Sequence, residues 1–169
     1  MRRIAAAVVS LLPFAAIAAD IPDLAFYRNA AEGGIAEVEM GNIAQQQTRT
    51  PSVREFGALM VKDHSALNEK LKAMAESKNI TLPANPSVEE LAAKAKLKAL
   101  WGAAFDKSYI KGMIKDHQED IAEFKKEASS GQDPEARAFA SASLPTLEAH
   151  LKKIQSIAAE AGMSADSAD

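Results

Sequence analysis

Apolar residues recur every three or four positions through most of this chain, the spacing of one face of an α-helix. One stripe is Phe56, Met60, His64, Leu67, Leu71 and Met74. A second is Ile110, Met113, His117, Ile121, Phe124 and Ala128, and a third is Phe139, Ser143, Leu147, His150, Ile154 and Ile157. A fourth is made of small residues around one acid: Ala30, Gly34, Glu37, Gly41 and Ala44. The pattern predicts long helices over 23–47, 50–77, 105–129 and 133–161, with a short one over 87–100. Punctuation supports these limits. Thr50-Pro51 and Asp133-Pro134 place a cap residue before a proline at the first helical position. Ser87 and Glu90 have capping-box spacing, Trp101-Gly102 breaks the short helix, and Ser130-Gly131-Gln132 turns the chain. Pro145 falls inside the last helix, where it should kink the backbone and free the Ser141 carbonyl.

The first two long helices are joined by a tight turn, as are the last two. Between the second and third lie about 28 residues, enough to run back along a helix of roughly 40 Å. Two hairpins joined by one long crossover is the ferritin-like plan, whereas a simple up-down bundle needs only short loops. The expected fold is therefore an all-α, ferritin-like four-helix bundle over 20–161, with a short helix in the crossover and a disordered tail over 162–169. Of two faint internal echoes, Thr50-Pro51-Ser52-Val53-Arg54-Glu55-Phe56 with Asp133-Pro134-Glu135-Ala136-Arg137-Ala138-Phe139 matches the second long helix to the fourth, as two hairpins require, whereas Met60-Val61-Lys62-Asp63-His64 with Met113-Ile114-Lys115-Asp116-His117 matches the second to the third and does not.

The N-terminus changes the setting. Arg2 and Arg3 precede an apolar run that ends in Ala16-Ile17-Ala18, the layout of a cleavable secretory signal over 1–19. Cleavage is expected after Ala18 or Ala19, giving a periplasmic or secreted protein. No later stretch suits membrane insertion. The chain carries a formal charge of −3, and loss of the two arginines makes it more acidic, so nothing suggests a nucleic-acid partner. Protein partners are unspecified, and a homo-oligomer is compatible with the sequence. Without cysteine, an exported chain depends on packing, or on packing plus a metal.

All three histidines, His64, His117 and His150, fall on apolar stripes of different helices. Each imidazole should point inward, where its ring nitrogens need partners. A shared transition-metal ion (Fe, Zn, Mn or Cu) would satisfy one nitrogen on each ring. Glu37, inward on the first helix, completes a candidate ligand set, with Asp106 a weaker member that could instead cap its helix. Asp63 and Asp116, each just before a histidine, are expected behind the ligands or at the surface. The Glu-x-x-His of di-iron bundles is missing, because Val61, Ile114 and Leu147 stand three residues before the histidines. Two alternatives stay open: a metal-free helical module with a buried polar network, and a copper carrier using Met60 and Met113, each four residues before a histidine. No catalytic motif is present.

The segments Gly33-Gly34-Ile35-Ala36-Glu37-Val38-Glu39-Met40-Gly41, Met60-Val61-Lys62-Asp63-His64, Phe105-Asp106-Lys107-Ser108-Tyr109, Met113 to His117 and Leu144-Pro145-Thr146-Leu147-Glu148-Ala149-His150-Leu151 resemble the signature of the domain of unknown function 4142 family. These are exported bacterial proteins, often labelled predicted outer membrane proteins and grouped with ferritin-like folds. The resemblance spans about Phe26 to Ala158. It implies that fold but no activity, and its recurrent polar positions fall here on Glu37, His64, Asp106, His117 and His150.

Overall fold

The computed structural model describes residues 21–164, so the expected signal segment lies outside the described residues. They form five helices and no strand: α1 (Leu24–Gln47), α2 (Pro51–Ser77), α3 (Val88–Lys98), α4 (Gly102–Ser130) and α5 (Pro134–Glu160). Local chemistry sets most boundaries. Pro51 and Pro134 sit in the first turns of α2 and α5, and the Asp133 carboxylate accepts from the Glu135 backbone N–H. Ser87 and Glu90 make a complete capping box on α3. α4 begins earlier than its apolar pattern suggests, because Gly102 turns the chain at φ 59° just after the exposed Trp101. α5 runs through Pro145 without a break, the proline facing solvent. At its far end Gly162, at φ 68°, and Met163 donate back to Ala159 and Ala158. A Schellman-type cap thus holds these two residues of the expected tail, and 165–169 lie outside the described residues.

The long helices pair as α1 with α2 and α4 with α5, and the pairs meet through α1–α4 and α2–α5 contacts. Hydrogen bonds at both ends fix the polarity. At one end the Asp23 carboxylate receives the backbone N–H groups of Gln132 and Asp133 at 2.7 and 2.6 Å. Tyr27 donates to Asp133 at 2.8 Å, and Lys78, just past α2, reaches Asp133 at 3.0 Å. At the other end the Thr48 and Thr50 hydroxyls donate to Asp106 at 2.5 and 2.6 Å, seating the α1–α2 turn against the start of α4. Residues 78–101 therefore run from one end to the other. α3 lies in that segment against α1 and α4, tied to α1 by Lys94 and Glu39 at 2.6 Å.

Close approach of α1 and α2 depends on two glycines. A Cβ on Gly41 would come 2.7 Å from the Gly57 carbonyl oxygen, and one on Gly57 would come 2.8 Å from that of Gly41. The interior divides into two apolar clusters. One holds Phe56, Met60, Phe105, Tyr109 and Met113, and the other Phe26, Tyr27, Leu71, Phe124 and Leu147. Along each helix, Glu37, His64, His117 and His150 fall between these clusters, so the molecule carries one polar layer across its middle.

Candidate metal centre

Four helices each contribute one side chain to that layer. Glu37 on α1, His64 on α2, His117 on α4 and His150 on α5 are 2%, 3%, 0% and 2% exposed. The three ring centroids are 5.3–5.6 Å apart, and one ligand atom from each imidazole lies within 4.8 Å of the other two. Phe56 closes one side, with its ring 6.2 Å from His117 and 6.4 Å from His150.

The partners of the outer nitrogens determine what the inner ones present. His117 Nδ1 donates to the Met113 carbonyl at 2.9 Å, one turn earlier on α4, which leaves Nε2 as a lone pair. His150 Nε2 donates to the Asp63 carboxylate at 2.9 Å, which leaves Nδ1 as a lone pair. These two free nitrogens face each other at 3.4 Å. Two lone pairs cannot hydrogen-bond to one another, whereas two imidazoles on one metal ion sit about 3.3–3.6 Å apart, as follows from metal–nitrogen bonds of about 2.0–2.1 Å. His64 Nδ1 lies 2.6 Å from Glu37 Oε2, an approach that requires a proton between them although the alignment is poor. The remaining His64 nitrogen, Nε2, is buried with no partner.

Glu37 therefore takes a different place from the one its helix face suggests. Its Oε1 is 3.3 Å from His117 Nδ1 and its Oε2 is against His64 Nδ1, so it backs two rings on the side away from the free nitrogens. Histidines that bind metals are commonly oriented in this way by carboxylates and carbonyls, here Glu37, Asp63 and Met113 O. Asp106 is not in the layer at all. It lies eleven residues before His117, about 16 Å along the axis, with both carboxylate oxygens occupied by Thr48 and Thr50. Asp106 is therefore not a ligand of this layer, and it fastens the α1–α2 turn rather than capping α4.

Burial governs the electrostatics. Desolvation lowers His64 to about 4, and desolvation together with the other two imidazoles lowers His117 to about 3. His150 is also lowered by burial, against the pull of Asp63. All three rings are thus neutral near pH 7, the form that binds metals. Desolvation, with Asp116 and Glu90 nearby, pushes Glu37 well above the usual carboxylate range. Asp120 is pushed up likewise by burial and by Glu37. Tyr109 stacks on Phe105 and keeps a buried hydroxyl with no partner, its pKa raised by desolvation and by Glu37.

The model of the family described as Domain of unknown function (DUF4142) matches residues 13–157, and the chain belongs to that family. No curated protein matches the sequence. Among solved structures the fold is similar to that of a secreted DUF305 protein from Streptomyces coelicolor, with a TM-score of 0.72 and 16% identity over 85% of this chain and 94% of that one. It is also similar to CopM in its Cu(I)-bound form, with a TM-score of 0.69 and 18% identity over 83% of this chain and 98% of that one.

Proposed function

We propose that this DUF4142 protein is an exported, ferritin-like four-helix bundle that holds one transition-metal ion on His64, His117 and His150. The observation that carries the reading is the 3.4 Å approach of His117 Nε2 and His150 Nδ1, both left as lone pairs by Met113 O and Asp63. A metal-free polar network would leave those lone pairs opposed and His64 Nε2 unpartnered in the interior, which is costly. One cation bound by the three nitrogens removes both problems. Glu37 supplies the compensating charge from behind the rings, and the four-residue offset to Met60 and Met113 keeps thioethers one turn away along α2 and α4. The two long pairs and the end-to-end segment 78–101 support the two-hairpin, crossover plan.

Copper is the first candidate ion. Three neutral nitrogens in an apolar enclosure suit Cu(I), which accepts low coordination numbers, and a protein of similar fold is known in a Cu(I)-bound form. Zn(II) is the second candidate, and would take a water as fourth ligand. The apolar run after Arg2-Arg3 supports export, and no helix among the described residues is long and apolar enough to cross a membrane. Metal handling outside the cytoplasm is the role that fits.

The test is metal stoichiometry after anaerobic loading with Cu(I), Zn(II) or Co(II). One equivalent is expected in the wild type, with none retained in His117→Ala at unchanged helicity. A folded wild-type protein that retains no ion under any loading refutes the reading.

A further inference from the structure

Beside the triad, α1, α3 and α4 enclose a small cavity of about 60 Å³ that runs inward to Glu37. Five of its eight lining residues are carboxylic acids, Glu37, Glu90, Asp116, Glu119 and Asp120, and none is basic. At its outer rim the Glu119 side chain is 64% exposed, while Asp116 and Asp120 are half-buried further in. At its inner end Glu37 is 2% exposed, and neither of its oxygens makes an aligned hydrogen bond. The wall at the middle is Gly33. A Cβ there would have the carboxylate oxygens of Glu90 and Asp120 as its nearest neighbours, each at 3.7 Å. A row of acids thus leads from solvent to the carboxylate that touches His64 and His117.

We propose that this acidic cavity between α1, α3 and α4 is the route by which the cation reaches the histidine layer, with Glu37, which touches His64 and His117, at its inner end. The inference rests on the metal reading above. Phe56 and the two apolar clusters wall much of the triad; apart from Asp63 beside His150, a cavity of about 20 Å³ past Asn68 and Asp120 reaches His64, and the acid-lined cavity is the larger of these two. Grouped like charges in a low-dielectric cleft raise the local cation concentration and the association rate. Lys115 limits the effect at the rim, since it pairs with Glu119 at 3.0 Å and approaches Glu89 at 3.9 Å. The attraction is carried by Glu90 and Glu119 toward the rim, while burial favours the neutral forms of Asp116 and Asp120 and leaves them as polar contacts along the wall. The carboxylates are not gathered tightly enough to form a ligand cluster of their own, for among the described residues the histidines alone meet that condition. The cavity is a passage rather than a second storage site.

The probe is Co(II), mixed with the metal-free full chain in a stopped-flow instrument, with its visible bands reporting capture by imidazole. The variant is Glu90→Gln/Asp116→Asn/Glu119→Gln, in which glutamine at position 90 preserves the α3 cap. A control removes the same number of acids at exposed positions elsewhere, Glu55, Glu69 and Glu148. The route variant should load at least about threefold more slowly at low ionic strength and lose most of its salt dependence, with final band amplitude unchanged. The control should load at the wild-type rate. Equal loading rates in the route variant and the wild type overturn the passage while leaving the triad standing. Bands that persist in His117→Ala, or never form in the wild type, overturn the triad reading and the passage with it.

Discussion

At the residue scale, the three imidazoles are alike in sequence but are held by different partners. His117 depends on its own helix, through the Met113 carbonyl. His150 depends on α2, through Asp63, and His64 depends on α1, through Glu37. Asp63→Asn keeps the shape but lets the amide present either oxygen or nitrogen to the ring, so the His150 tautomer is no longer fixed. Metal affinity should fall by about 10–100-fold while the stoichiometry stays at one, measured by competition with a chelator. Glu37→Gln tests a second aspect. In the metal-free chain, burial keeps a proton on the Glu37–His64 pair that a bound cation should expel. The wild type should release close to one proton per ion at neutral pH, read in weakly buffered dye solution, and Glu37→Gln should release far less. Equal release in both would mean that Glu37 stays neutral in the loaded protein.

At the element scale, small residues decide how closely the helices approach. A methyl group on Gly33 meets nothing nearer than 3.7 Å, while one on Gly41 meets the Gly57 carbonyl oxygen at 2.7 Å and one on Gly34 collides with the Asn68 amide. Gly33→Ala should therefore stabilise the fold by about 0.4–1 kcal/mol, because alanine lowers unfolded-chain entropy and favours helix. Gly41→Ala should cost about 1–3 kcal/mol as α1 and α2 are pushed apart. Urea denaturation of the two variants reads the difference, and equal midpoints would remove the close-packing role of Gly41. The same scale shows what was legible in the sequence. The 3.6-residue period located four long helices and turned Glu37, His64, His117 and His150 inward, since that information lies within each helix. It could not reveal which rim of an imidazole meets which neighbour. Asp63 reaches His150 across the α2–α5 interface, Asp106 is claimed by threonines of a distant turn, and Glu37 comes to rest behind the rings. Those facts depend on relative rotation and sliding of helices. The early start of α4 escaped the pattern because residues 102–104 are exposed and carry no apolar signal.

At the scale of the whole molecule, the interior carries titratable groups of both kinds in their neutral forms, and this shapes stability against pH. His64, His117 and His150 have lowered pKa values in the fold. An unfolded chain binds protons at these sites below about 6.5, so their contribution is fully present above that pH and is lost as pH falls toward 4 and 3. Glu37 and Asp120 are raised well above the carboxylate range, and Asp116 and Glu127 are raised to about 7. Their contribution is present below about 4 and is lost as pH rises through the folded values. Between roughly pH 4.5 and 6.5 the two sets oppose each other, so the metal-free protein should show a broad stability maximum there and become less stable toward pH 8. A bound cation reverses the upper limb, because it favours ionised Glu37 beside the rings. Excess metal at about 100 times its dissociation constant adds about 2.7 kcal/mol, a rise of roughly 5–10 °C in melting temperature for a chain of this size. The increment should be larger at pH 8 than at pH 5.5, where protons compete for the Glu37–His64 pair. Calorimetric scans of metal-free and loaded protein at these two pH values measure both effects. A metal-free melting temperature that climbs from pH 5.5 to 8 would show that the buried carboxyl groups ionise in the fold, and that the polar layer is already charged before any cation arrives.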